Sequence, residues 1–262
     1  MAYNFNGSSQ YASFSPTGFP TGTNPRTMVG WGRPSTTAAG FGWIVAYGST
    51  GTNNMFAIGR NASAAYYACF GGINDLNVAS KWVVGEWHHM AFTYSGSQLL
   101  AYFDGGLVAS KSGVTLTTTA TAGRLASRMD SSLDMWAGDV AEAAAWNVVL
   151  TDAEIAQLGM GFSPFCLTAR LANLLWYRSL IRDLNWPGIG PALTAAGGPA
   201  VVGHPRAFYP ASPTIGLFAV PQFVAPYRLA AATAHANRIR RGWAAVAGPS
   251  IGDIYSIGEV SS

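Results

Sequence analysis

Carboxyl groups are the first place to look for chemistry, because cleaving a glycosidic bond takes two of them across one cleft, about 5–9 Å apart. The chain has twelve Asp and Glu residues in 262. Asp139 and Glu142 fall in one apolar, strand-like run. Three positions apart on a strand, they are expected on opposite faces. Glu142 then reads as a buried carboxylate that accepts hydrogen bonds, and no catalytic pair is expected. His88 and His89 could hold a metal or move a proton. One of them follows a strand tryptophan and should point inward, as a hydrogen-bonded core histidine. His204 and His235 have no Cys or Asp at ligand spacing, so no metal or other cofactor is expected. No phosphate-cradling glycine loop precedes a helix. Arg238, Arg240 and Arg241 with Trp243 form a basic cluster suited to an acidic or carbonyl-rich protein surface. Trp43, Tyr47, Tyr66 and Tyr67 are the aromatics that could stack on a sugar.

The stretch that must position most of this is 136–158, WAGDVAEAAAWNVVLTDAEIAQL. Residues 138–146 read as a strand bounded by Gly138 and Asn147. Thr151 and Glu154 have capping-box spacing, and Leu150 and Ile155 have the spacing of a hydrophobic staple. Asp152 and Glu154 place negative charge where the helix dipole favours it. The predicted helix is short and ends at Gly159 or Gly161.

This stretch resembles the closing segment of the laminin-G/concanavalin-A-like jelly-roll family: Gly138, Val140, Glu142, Trp146, Asn147, then Leu150, Thr151, Glu154 and Ile155. Three further phrases resemble the family. Residues 3–14 read as an opening hairpin around a glycine turn. Residues 27–33, TMVGWGR, read as a strand with Met28 or Val29 and Trp31 as core candidates, closed by Pro34. Residues 87–104 read as two strands, with Phe92 and Tyr94 on one face and Ala91 and Thr93 on the other. Further strands are predicted at 41–47, 55–60, 65–70, 77–84, 108–121 and 123–125. The resemblance implies a mainly β jelly-roll sandwich over 1–160. Family members often carry Asp after the opening glycine; Ser8, Ser9 and Gln10 stand here, which weakens an implied calcium site. The Glu-x-Asp-x-x-Glu pattern of one glycosidase branch of the fold is missing.

Beyond Gly161 the sequence predicts a β extension over 161–207, with strands near 174–180 and 192–202 and an exit at His204-Pro205-Arg206. It resembles a tail segment found on some jelly-roll proteins of tailed bacteriophages. Residues 208–262 show no strand or helix period and several prolines, and read as an extended arm with one short helix in 228–246. An arm without a core needs a partner surface to order it.

Charged residues are only 10% of the chain, which hints at a surface covered by something else. The formal charge of +3 disfavours nucleic acid as a partner. The N-terminus lacks the pattern of a signal peptide, and the apolar stretch 216–236 is broken by Pro221, Pro226 and Arg228, so no membrane partner is expected. Cys69 and Cys166 are expected as free, buried thiols. The functional expectation is a non-enzymatic virion protein, assembled in the host cytoplasm, that decorates or cements a phage capsid. Its arm would grip the major capsid protein or another virion protein through Phe218, Phe223, Tyr227, Arg238, Arg240, Arg241 and Trp243, as a homo-oligomer on the particle. The alternative is a lectin-like module for a host-surface glycan.

Overall fold

The computed structural model describes residues 1–36, 40–60, 66–70, 75–79, 82–130, 133–186 and 188–210, with backbone alone at 66–70 and 79. Sixteen strands run in chain order among the described residues: β1 (Ala2–Asn6), β2 (Tyr11–Phe14), β3 (Arg26–Pro34), β4 (Gly42–Gly48), β5 (Met55–Arg60), β6 (Tyr66–Phe70), β7 (Leu76–Ala79) and β8 (His88–Tyr94). Then come β9 (Gln98–Phe103), β10 (Gly106–Ser112), β11 (Ala122–Leu125), β12 (Ala137–Trp146), β13 (Leu174–Arg178), β14 (Gly188–Ile189), β15 (Thr194–Ala196) and β16 (Ala200–Val202). The helix α1 (Asp152–Gly159) and two short 3-10 turns separate β12 from β13. The strand predicted over 108–121 stops at Ser112.

The strands form two antiparallel sheets. The larger has the order β10-β9-β8-β3-β12-β1-β16, with β13 also beside β12 and β14 beside β13. The smaller has the order β15-β2-β11-β4-β5-β6-β7. Alternation along β8 and β9 sends Met90, Phe92, Tyr94, Leu99, Ala101 and Phe103 between the sheets. Phe56 and Phe92 stack there at 4.5 Å. Gly32 lets the sheets approach: a Cβ on it would lie 2.4 Å from Ile44 Cδ1 and 3.0 Å from the Trp136 ring.

On its other face the larger sheet carries Val29, Ala91, Tyr102, Ala144 and Trp146, buried with Leu150, Ile155 and Leu158 around α1. The helix starts as its sequence predicts. The Thr151 backbone N–H donates to Glu154 Oε2 at 2.8 Å, and the Glu154 N–H donates to Thr151 Oγ1 at 3.3 Å. Arg170 Nε adds a 2.6 Å bond to Glu154 Oε1, tying the second 3-10 turn to the cap.

β12 has β3 along one edge. Its other edge is divided: β1 pairs with residues 137–140 and β13 with 143–146. Between the two, the pairing with β3 shifts in a bulge between Ala141 and Ala144, and Glu142 takes a left-handed φ of +51°. Residues 162–186 and 188–210 complete this body. Trp176 stacks on Phe14 at 4.4 Å, and Leu180 and Leu193 join the main core. β15 borders β2 in the smaller sheet and β16 borders β1 in the larger. Met1–Ala211 form one compact unit.

Candidate functional site

The part of the larger sheet's outer face beyond α1 carries a row of polar and aromatic side chains. Strand register builds it. Asn4 on β1 lies opposite Asp139 on β12, which lies opposite Arg33 on β3. Asn4 Nδ2 donates to Asp139 Oδ1 at 2.7 Å, and Arg33 Nε donates to Asp139 Oδ2 at 2.5 Å. The Arg33 guanidinium sits 5.2 Å from the Trp87 ring centre, a cation–π distance. In the neighbouring row Ala141 lies opposite Trp31, and Trp31 opposite His89. Each row crosses three strands, so two strand spacings make it about 10 Å wide. Trp31, Arg33, Trp87 and Asn4 are half-buried, and Asp139 is buried beneath its two donors.

His89 lies wholly buried beside Trp31, with ring centres 5.5 Å apart. Neither of its ring nitrogens finds a partner among the described residues. Burial pushes its pKa down to about 4, against a smaller upward pull from Asp104. His88, one strand position away, faces Trp82 and Phe103, and its Nδ1 lies 2.9 Å from Asp104 Oδ2. The expected hydrogen-bonded histidine is therefore His88; His89 is buried without such a bond.

Asp139 and Glu142 do not face opposite sides of β12. The bulge adds a residue, so Val140, Ala143 and Ala145 point into the core while Asp139 and Glu142 share the outer face. Glu142 is 3% exposed and accepts from the Tyr177 hydroxyl at 2.6 Å and from the Tyr209 hydroxyl. His204 Nε2 lies 3.1 Å from it. Burial first, and the Glu142 charge second, push both tyrosine hydroxyls well above their ordinary pKa. This cluster fastens β13 and residues 204–209 to the sheet. It supports the reading of Glu142 as a buried acceptor.

Trp31 is not a core residue: Met28 and Val29 are both buried, on opposite faces, and Trp31 follows Val29 outward. Trp43 and Tyr47, expected as sugar platforms, are each 1% exposed; the Tyr47 hydroxyl is spent on the Pro20 carbonyl at 2.9 Å. The side chains of Tyr66, Tyr67 and Cys69 lie outside the described residues. So do Phe218, Phe223, Tyr227, His235, Arg238, Arg240, Arg241 and Trp243. Cys166 is a free thiol, half-buried rather than buried, with its Sγ 3.4 Å from the Phe208 carbonyl. Among the described residues no group of His, Cys, Asp or Glu is placed to hold a metal ion, and no helix is long and apolar enough to cross a membrane. A shallow hollow lined by Phe19, Thr21, Asn24 and Asn147 lies in the β2–β3 loop.

Two face-to-face antiparallel sheets, with a capped helix after the long central strand, define a lectin-type jelly roll. Residues 6–156 match the family Laminin_G_3, the concanavalin A-like lectin/glucanases superfamily, and the chain belongs to it. No curated protein sequence matches the chain. Among solved structures it is similar to a candidate carbohydrate-binding protein from Bacteroides ovatus ATCC 8483, with a TM-score of 0.51 and 16% identity over 77% of this chain and 61% of that one. It is also similar to a heptameric SAP-like pentraxin from Limulus polyphemus, with a TM-score of 0.47 and 13% identity over 60% of this chain and 81% of that one. A third is the CBM40 of the Ruminococcus gnavus IT-sialidase bound to α2,3-sialyllactose, with a TM-score of 0.47 and 11% identity over 60% of this chain and 96% of that one. At these identities the likeness is one of fold.

Proposed function

We propose that the chain binds carbohydrate without cleaving it, on the outer face of its larger sheet. One observation carries the reading: partly exposed Trp31 and Trp87 lie beside a tied polar row, Asn4, Asp139 and Arg33. A pyranose has an apolar C–H face, which an aromatic ring complements, and a rim of hydroxyls, which the row can meet with donors and acceptors. All but Trp87 stand on paired strands, so little ordering is needed on binding. The superfamily holds both lectins and glucanases, so the fold alone does not choose between them. Binding is favoured because Glu142 is buried under two tyrosines and Asp139 has an ion pair on one oxygen and an amide on the other. The test is glycan-array binding of the full chain and of Trp31→Ala. Binding to at least one glycan class is expected, weakened at least about tenfold in the variant. An array with no signal, or release of reducing ends from a polysaccharide that stops in Asp139→Asn, would overturn the proposal.

A second reading rests on the sequence of residues 212–262, which carry several prolines, scattered aromatics and the basic cluster of Arg238, Arg240 and Arg241 without a strand or helix period. In it those residues, with Phe218, Phe223, Tyr227, Arg238, Arg240, Arg241 and Trp243 as anchors, strap the chain to a phage capsid as a decoration protein. Truncation after Ala211 separates the two: glycan binding survives it, whereas joining a particle does not.

A further inference from the structure

The free hydrogen-bonding edge of Arg33 bears on which sugars the face would take. This step rests on the carbohydrate-binding reading above. Asp139 engages only Nε of Arg33. The two terminal amino groups carry no hydrogen bond among the described residues, and the side chain is 31% exposed. The ion pair on one edge and the Trp87 ring under the plane fix the direction in which that free end points. A guanidinium end with two parallel N–H groups matches the two oxygens of a carboxylate, whereas a sugar hydroxyl meets only one of them.

The geometry points to a saccharide carrying a carboxylate, bound with that group on the free end of Arg33 and a ring face on Trp31 or Trp87. The charge balance sets its character. Asp139 already neutralises Arg33, and the neighbouring His89 stays uncharged above about pH 4, so the row adds no surplus positive charge. Selectivity for the acid therefore comes from the paired donors, and moderate salt should leave much of it in place. Asp139 is the positioning residue: it orients Arg33 and does not touch the ligand.

The experiment compares matched pairs by calorimetry on the full chain: tri-galacturonate against its methyl ester, and sialyllactose against lactose. The acid member of at least one pair should bind at least about tenfold tighter. Arg33→Lys keeps the charge and can keep a contact with Asp139, but has no paired donors. It should erase the preference while melting within a few degrees of the wild type. Equal affinity for acid and neutral members overturns the inference and leaves carbohydrate binding standing. A preference that survives in Arg33→Lys also overturns it. No binding to any of the four probes overturns the inference, and with a silent glycan array it removes the underlying reading too. The wild-type comparison decides the matter even if the variant fails to fold.

Discussion

Acid should weaken this fold through one side chain, His89. In the unfolded chain its imidazole takes up a proton near pH 6.5. In the fold it does so only at about 4, because the ring is fully buried and neither nitrogen has a partner among the described residues to share the charge. Between those values the unfolded state holds a proton that the folded state does not. The associated stability is therefore complete above pH 6.5, falls as the pH drops, and is lost below about 4. The gap corresponds to about 3 kcal/mol, a large part of the 5–15 kcal/mol typical of a domain. Urea unfolding of the wild type and of His89→Leu between pH 7 and pH 4 isolates the effect, since all other titrating groups are common to both. Leucine also removes two buried polar atoms without partners, so the variant should be at least as stable as the wild type at pH 7. The two proteins should then diverge toward acid, with the wild type losing about 3 kcal/mol more. Parallel acid slopes would refute the reasoning.

Glu142→Ala leaves the Tyr177 and Tyr209 hydroxyls without their carboxylate and should cost about 3 kcal/mol in urea unfolding, with faster proteolysis after Val202. A loss below about 1 kcal/mol would mean that residues 204–209 are not held by it. Thr151→Ala should cost about 1 kcal/mol by removing the cap of α1. Burial pushes Glu154 upward, but hydrogen bonds from Arg170 and Thr151 outweigh it and leave its carboxyl below the ordinary range. The cap's contribution is thus present above about pH 4.3 and fades as acid protonates Glu154. The difference between Thr151→Ala and the wild type should shrink accordingly in acid melts.

Local devices were legible in the sequence. The capping box, the staple of Leu150 and Ile155, and the alternation around Phe92 and Tyr94 each depend on residues a few positions apart, and all three stand in the structure. The bulge was not legible. A left-handed φ at a glutamate has no signature in residue type, and without it strand parity puts Asp139 and Glu142 on opposite faces. The outward, half-buried place of Trp31 is hidden from the sequence for a related reason. β3 is covered on both faces near Val29 but not near Trp31, and where α1 stops cannot be read from β3 itself. The row of Asn4, Asp139 and Arg33 joins residues up to 135 positions apart, so it exists only once three strands are in register. The strands beyond 173 carried a β signal, but nothing in them named β12, β1 and β2 as partners.

The divided edge of β12 has a consequence for how the protein is made and cut. A nascent chain that has emerged only as far as the helix would have half of its central strand unzipped and the slot of Trp176 empty, so the ribosome must deliver some fifty residues more before the sandwich can shut. A gene fragment trimmed to the family match at 156 would freeze that unfinished intermediate, with a bare strand open to the nearest neighbour. Expression boundaries belong after Ala211 instead.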